Sequence, residues 1–335
     1  MSPFSYFRPD SIEAALAQHD GVLARYLAGG TNLIDLMKID VEKPNAVIDV
    51  NRLALTAIES GNGALRIGAL ARMSDVAAHA AVVADYPVIA QALVASASPQ
   101  LRNMASIGGN LLQRTRCSYF RDIAFAACNK RNPGSGCAAL AGENRRHAVL
   151  GVSPSCIAVH PSDLAVALVA LDATVHLLST RGERALALDD FYVLPGNTPD
   201  KETRLQPGEM VVAVEVPAST VARHSTYLKI RDRAAFEFAL VSAAVGVALA
   251  ADGRIADARV ALGGVGSKPW RARRAEALLV GEPPQPALFA TAAAVALEGA
   301  QTQQQNAFKV ELARRTLTRA LRRAASTEEI SWTAG

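Results

Sequence analysis

The chain has 335 residues, of which 50% are apolar and 20% are charged, and its formal net charge is +4 at pH 7. A chain of this length forms two or three domains with large cores, so it needs neither disulfides nor metal ions merely to fold. The composition excludes a disordered chain, a collagen and a small disulfide scaffold, and the mild positive charge does not require a nucleic-acid partner.

In the first third of the chain, the sequence pattern predicts short helices between strands. Strands are predicted at 25–28, 46–50 and 65–69. Apolar residues recur at helical spacing after Asp10, which predicts a short first helix. The alanine-rich stretch 71–98 is predicted to be mostly helical, and Pro99 is predicted to end it.

The rest of the chain adds strands, helices and a predicted β-hairpin. Asp252-Gly253 stands between two strand-like runs, 238–251 and 254–262, which is typical of a two-residue hairpin turn. Strands are also predicted at 174–178, 210–216 and 226–230, and helices near 163–171, 271–280, 286–299 and 305–324. A late antiparallel hairpin among mixed helices and strands favours an α+β fold over a parallel doubly wound sheet.

Neither a membrane span nor a secretory signal is predicted. The longest uncharged apolar stretch, 238–251, is shorter than the about 20 residues that a bilayer-spanning helix needs. Residues 1–10 lack the basic segment and apolar core of a secretory signal. We therefore expect that export, if it occurs, depends on something other than this segment.

Two glycine-rich loops predict a site for a negatively charged ligand. Glycine lets backbone N–H groups approach a ligand closely, and a helix N-terminus favours an anion. Each loop alone is typical of an ordinary tight turn, but the pair favours a diphosphate held from two sides. The loop residues are Ala28, Gly29, Gly30, Thr31 and Asn32, and Ser106, Gly108, Gly109 and Asn110.

The cysteines are clustered, and the clustering requires a cause. The four of them are Cys117, Cys128, Cys137 and Cys156. Their segment is rich in basic residues, proline and glycine, and no two cysteines form a C-x-x-C pair. Local cations would offset the charge of four thiolates on one ion or cluster, which favours a metal or iron–sulfur site. Two disulfides, or four unrelated buried thiols, stay open as alternative interpretations. Tetrahedral sulfur ligation suits zinc as well as an iron–sulfur cluster.

The remaining motifs do not point to hydrolysis. No G-x-S-x-G elbow, H-E-x-x-H helix or kinase motif set occurs. The glycine-rich run 263–268 fits neither a P-loop nor a dinucleotide fingerprint, so it is interpreted as a strand–turn–helix connection. The basic helix that contains Lys309 is interpreted as a solvated outer face. Anion-binding loops together with a cysteine-rich basic segment favour electron transfer.

Three short motifs give the sequence a resemblance to a known family. Residues 27–33 (LAGGTNL), 106–110 (SIGGN) and 161–164 (PSDL) resemble, in this order, the flavin subunits of the xanthine dehydrogenase, or molybdenum hydroxylase, family. The resemblance implies an α+β fold with a PCMH-type FAD-binding domain in two subdomains, followed by a C-terminal α+β domain like that of carbon monoxide dehydrogenase flavoproteins. The implied bounds are 1–55, 56–218 and 223–330, with an iron–sulfur insertion at about 111–157.

The resemblance also implies which residues bind FAD. Asp163 resembles an acidic residue that contacts the ribityl chain or ring edge of the flavin, and Leu205 and Lys229 match two further contact positions. No protein side chain is expected to be catalytic, because the flavin would carry the chemistry. The implied FAD contacts are Ala28, Gly29, Gly30, Thr31, Asn32, Leu33, Ser106, Gly108, Gly109, Asn110, Asp163, Leu205 and Lys229.

The cysteine segment is implied to hold a [4Fe–4S] cluster. Most members of the family place the second glycine loop close to the Pro-Ser-Asp sequence, whereas here the cysteine segment separates Asn110 from Asp163. A minority of members carry a [4Fe–4S] cluster in such an insertion, and the pattern here is most similar to the flavin subunits of bacterial periplasmic aldehyde oxidoreductases. The implied ligands are Cys117, Cys128, Cys137 and Cys156.

The function implied by the resemblance is electron relay in a multi-subunit enzyme. A molybdenum-cofactor subunit would oxidise an aldehyde or a related heterocycle, and electrons would pass through a [2Fe–2S] subunit to FAD on this chain and then to an acceptor. The implied assembly is a heterotrimer without nucleic acid. Two alternatives stay open: a xanthine dehydrogenase-type subunit that reduces NAD, and a zinc-stabilised non-catalytic scaffold. The expected location is the periplasm, by co-export with a partner subunit, or the cytoplasm.

Overall fold

The computed structural model describes residues 1–19 and 23–326, so the end of the predicted 223–330 domain lies outside the described residues. The strands are β1 (Ser5–Phe7), β2 (Ala24–Leu27), β3 (Ala46–Asp49), β4 (Ile58–Gly61), β5 (Ala64–Gly68), β6 (Thr174–Ser179), β7 (Gly182–Ala187), β8 (Met210–Pro217), β9 (Ser225–Ile230), β10 (Val241–Leu249), β11 (Ile255–Gly263) and β12 (Trp270–Arg271). The helices are α1 (Ile12–Ala17), α2 (Leu33–Lys38), α3 (Met73–Ala78), α4 (Ala80–Asp85), α5 (Pro87–Ala95), α6 (Pro99–Met104), α7 (Ile107–Leu111), α8 (Ser118–Arg121), α9 (Asp163–Ala170), α10 (Leu188–Phe191), α11 (Thr220–Arg223), α12 (Arg273–Leu279), α13 (Pro286–Val295) and α14 (Phe308–Ala324).

Two sheets occupy the chain before residue 218. β1, β3 and β2 form a parallel sheet in that order, and β4-β5-β8-β6-β7 form an antiparallel one. The sheets share a core, because Met210 and Val212 of β8 belong to the same apolar cluster as Leu16 and Ile48. The first glycine loop begins where β2 ends, at the carboxyl edge of the parallel sheet, which is the usual place for ligands in such sheets.

The C-terminal part is an antiparallel sheet in the order β12-β11-β10-β9, covered by α12, α13 and α14. Helix α9, whose residues are all buried, packs against β10 and β11 and joins this sheet to the preceding one. The predicted α+β fold is confirmed. None of the helices within residues 1–19 and 23–326 has the length and apolar character needed to cross a membrane.

The predicted hairpin is present, but its loop is longer than two residues. β10 and β11 pair antiparallel, with a register shift between Ala248 and Leu249. Ala250 N–H donates to Arg254 O at 2.8 Å, and Arg254 N–H donates to the Asp252 carboxylate at 3.0 Å. The Asp252 side chain therefore takes part in the turn itself, as aspartate often does in loops.

The predicted helix end at Pro99 is wrong. α5 already ends at Ala95, and Ala97 has a left-handed backbone with φ +50°. Pro99 instead begins α6, where its missing N–H costs no helical hydrogen bond. The Ser98 Oγ caps this helix by accepting from Leu101 N–H at 3.3 Å.

Two interpretations of the C-terminal part also need correction. The run 263–268 leads from β11 to the short strand β12 rather than directly to a helix. Lys309 does not lie on a solvated face, because it is fully buried and its Nζ donates to the carbonyls of Gly264 at 2.5 Å and His147 at 3.0 Å. Arginines of the same helix, such as Arg315, are exposed as predicted.

Candidate functional site

Both glycine loops line one cavity of about 640 Å³. Small-molecule and cofactor sites span about 300–1,000 Å³, so the cavity has the size of a ligand site. Residues 28–33 form one part of its wall, and Ser106, Gly108 and Gly109 form another. Leu205 also lines it. The structure therefore brings these predicted residues to a single site.

Close contact between the two loops explains why residue 29 is a glycine. A Cβ on Gly29 would collide with the backbone carbonyl of Met104, just before Ser106. Gly30 has φ +71°, which glycine adopts without strain. Among the residues that the structure describes, the backbone N–H groups of Gly29, Gly30 and Thr31 have no backbone acceptor. These donors are available to an anionic ligand.

The second loop is held by its own helix cap and by the end of β5. Ser106 is the N-cap of α7, and its Oγ accepts from Gly109 N–H at 3.2 Å. Gly108 N–H donates to Ala69 O at 2.8 Å, and a Cβ on Gly108 would come within 3.0 Å of the Ala69 Cβ. Gly108 is therefore needed for close packing beside the cavity.

Three predicted FAD contacts lie outside the cavity wall and bind other residues of the chain. Ser162 Oγ donates to Asn110 Oδ1 at 2.6 Å, which orients the N-cap of α9. Lys229 Nζ lies 2.7 Å from Asp163 Oδ2, and both side chains are buried. Tyr227 OH donates to Asp163 Oδ1 at 2.5 Å, and burial, followed by the charge of Asp163, raises the pKa of Tyr227 well above its ordinary value. Asp163 and Lys229 thus link α9 to β9.

The sequence analysis missed a charged network in the cavity wall. Arg114 donates from Nε to Glu202 and from Nη1 to Glu42, each at 2.6 Å, and Lys130 Nζ lies 3.0 Å from Glu202. Burial alone raises the pKa of Glu202, but the charges of Arg114 and Lys130 outweigh it and hold this pKa below its ordinary value. Arg114 N–H also donates to Asn32 Oδ1 at 3.1 Å. The only signal in the sequence was the basic character of the cysteine segment.

One of the four cysteines, Cys156, reaches the cavity, and the other three lie outside its wall. Cys117 is the N-cap of α8, and Cys128 and Cys137 face each other in an isolated antiparallel bridge. All four are free thiols, so the disulfide interpretation gains no support.

Electrostatic effects show that the thiols are neighbours. Burial, with smaller contributions from Cys156 and Cys128, raises the pKa of Cys117 to about 12. Burial also raises the pKa of Cys156, against the charge of Lys130. Within the described ranges, no three His, Cys, Asp or Glu side chains are arranged to hold a metal ion. Free thiols are the ligand type that both zinc and iron–sulfur clusters take.

Comparison with known proteins identifies the family. Residues 2–219 match the family described as the FAD binding domain in molybdopterin dehydrogenase, and residues 226–324 match the CO dehydrogenase flavoprotein C-terminal domain. The chain belongs to the molybdenum hydroxylase family as a FAD-binding subunit. This FAD-binding subunit is accordingly part of a multi-subunit oxidoreductase.

Relatives of the FAD-binding subunit match it over most of their length. The aldehyde oxidoreductase FAD-binding subunit PaoB of Escherichia coli (strain K12) is 50% identical over 96% of this chain and 98% of that protein. The glyceraldehyde dehydrogenase medium chain of Sulfolobus acidocaldarius is 30% identical over 83% of this chain and 82% of that protein. A solved structure of carbon monoxide dehydrogenase from Hydrogenophaga pseudoflava has a TM-score of 0.75 and 25% identity, over 97% of this chain and 98% of that one. The family, the fold and the oxidoreductase class predicted from the sequence are confirmed.

Proposed function

We propose that this FAD-binding subunit serves a molybdenum-containing aldehyde oxidoreductase and passes electrons from a [2Fe–2S] partner subunit through FAD to a terminal acceptor. The shared cavity carries the FAD part of the proposal, because both glycine loops line it and the first offers unpaired backbone donors. The aldehyde part is supported by the 50% identical relative, which is named as an aldehyde oxidoreductase subunit. The glyceraldehyde dehydrogenase relative supports the same substrate class.

The chain's own groups would bind FAD mainly through the backbone. Arg114 and Lys130 line the cavity, but Glu42 and Glu202 already neutralise them. Attraction for a diphosphate would therefore rest on the unpaired amides of the first glycine loop, those of Gly29, Gly30 and Thr31. Bound FAD would supply the electron-carrying chemistry, and the protein would orient it and exclude water.

The proposal includes a [4Fe–4S] cluster and two partner subunits. Support for the cluster comes from four neighbouring free thiols and from the cations of their segment, and its ligands would be Cys117, Cys128, Cys137 and Cys156. The partners would be a molybdenum-cofactor subunit and a [2Fe–2S] subunit in a heterotrimer. Two relatives are named as medium chains, and a medium chain implies a larger and a smaller chain in the same enzyme. These names support the two partner subunits.

The cavity is tested by a matched pair of glycine variants of the purified complex. Gly29→Ala is expected to lower bound FAD at least about tenfold, since the new Cβ pushes the Met104 carbonyl away and separates the two loops. Gly61→Ala is the control, because a Cβ there meets nothing within 4 Å. FAD released per complex is measured by absorbance. Equal FAD in both variants would refute the shared cradle.

The cluster is tested by metal analysis and electron paramagnetic resonance of the same complex. Cys128→Ser is expected to remove the signal of a [4Fe–4S] cluster and the iron that belongs to it, while the [2Fe–2S] signals of the partner remain. A wild-type complex with zinc and without [4Fe–4S] iron would favour the scaffold alternative and overturn this part of the proposal.

A further inference from the structure

Among the described residues, the ring of His147 makes a single hydrogen bond, and that bond is to a cysteine. His147 is 6% exposed, and its Nε2 lies 3.2 Å from Cys117 Sγ. Its Nδ1 has no hydrogen-bond partner among the described residues. A proton on Nδ1 would be stranded in the interior, whereas a proton on Nε2 meets the sulfur. The neutral ring therefore donates from Nε2 to Cys117.

The backbone of His147 is fixed from the C-terminal domain. Lys309 Nζ donates to His147 O at 3.0 Å and to Arg146 O at 3.2 Å. Asn306 Nδ2 donates to Ala148 O at 3.2 Å and to His147 O at 3.4 Å. The position of the ring is thus set by residues at the start of α14, far from it in sequence.

A second contact fixes the turn that precedes His147. Asn144 N–H donates to Gln305 Oε1 at 3.0 Å, and Gln305 N–H donates back to Asn144 Oδ1 at 3.1 Å. His147 N–H donates to Asn144 O at 2.9 Å, which closes the turn. With both sides of the segment held, the ring has little freedom to leave the sulfur.

We infer that His147 is a positioning residue for Cys117, whose N–H···S hydrogen bond raises the reduction potential of the iron–sulfur cluster. The inference rests on the cluster proposed above. A hydrogen bond withdraws charge from the ligating sulfur and so favours the reduced, more negative state of the cluster. Loss of the His147 side chain removes the donor to Cys117 and leaves the thiol itself in place.

The test compares two variants of the holoenzyme by redox titration monitored with electron paramagnetic resonance. His147→Phe keeps a ring and removes the donor, so the midpoint potential of the [4Fe–4S] cluster is expected to become more negative. His147→Gln retains an N–H donor and is expected to stay closer to the wild type. An unchanged potential in His147→Phe, with its iron intact, would overturn the inference.

A measurement on the wild type keeps the test decisive if His147→Phe loses iron. In holoenzyme labelled with ¹⁵N-histidine, pulsed electron paramagnetic resonance of the reduced [4Fe–4S] cluster is expected to show a weak ¹⁵N coupling that His147→Gln lacks. A cluster without this coupling would overturn the role of His147 and leave the proposed function intact. A wild-type complex without a [4Fe–4S] cluster would instead overturn the proposed cluster itself, and the inference with it.

Discussion

Replacing Lys229 with methionine tests the buried link between the FAD-binding part and the C-terminal domain. Lys229 Nζ lies 2.7 Å from Asp163 Oδ2, and the two side chains are 4% and 6% exposed. Methionine fills much of the same volume but leaves the Asp163 carboxylate without its cation. Removing one partner of a buried ion pair costs about 3–5 kcal/mol, because a buried charge is left uncompensated.

Native-state hydrogen exchange measures this loss where it occurs. Amides that exchange when α9 separates from β9 are expected to exchange between about 10²- and 10⁴-fold faster in Lys229→Met, at 1.4 kcal/mol for each factor of ten. Asp163→Asn combined with Lys229→Met is expected to recover much of the protection, since no charge remains unpaired.

The control for this prediction is an exposed ion pair on the C-terminal domain. Arg274 and Glu298 form a pair whose side chains are 75% and 49% exposed, and such pairs contribute at most about 1 kcal/mol. Arg274→Met is therefore expected to change exchange rates no more than about fivefold. If Lys229→Met behaves like this control, the buried pair does not hold the domains together and the reasoning fails.

Two further variants test the charged network and the buried lysine. The folded pKa of Glu202 lies below its ordinary value of 4.5, so its ionisation stabilises the fold above that pH, and this stability is lost as the pH falls through the folded pKa. In urea unfolding, the wild type should therefore lose more stability than Glu202→Gln as the pH falls below 4.5, and parallel pH profiles would contradict the network. Lys309→Met should lower the free energy of unfolding by about 1–3 kcal/mol for each carbonyl left unpaired. The control Arg319→Met changes an exposed residue and should leave this free energy nearly unchanged. Equal melting temperatures of the two variants would contradict a stabilising role of Lys309.

Local patterns made the glycine loops predictable. The strand before Ala28 and the helix after Asn32 follow from short-range periodicity, and Gly29 and Gly30 mark the break between them. The order strand, glycine pair and helix, together with the second glycine loop, was enough to indicate one anionic ligand. The cluster of cysteines was equally visible, because all four fall in one segment.

Long-range pairing made other features unpredictable. Asp163 and Lys229 are 66 positions apart, and no local pattern shows that each binds the other. Lys309 was interpreted as solvated because it belongs to a basic helix, yet three carbonyls from distant segments surround its ammonium group. The energy of such contacts depends on burial and on partners that only the folded chain supplies.

The cysteine segment is part of the cavity wall and not an appendage on the surface. Cys156 and Lys130 line the same cavity as the glycine loops, and Arg114 ties the start of the segment to Asn32. The far side of the segment is bound to the C-terminal domain through His147. A change of charge at the buried Cys156 would therefore act on a ligand in the cavity through a shorter and less polar path than a change at the surface would. This placement puts Cys156 beside any ligand that the cavity holds.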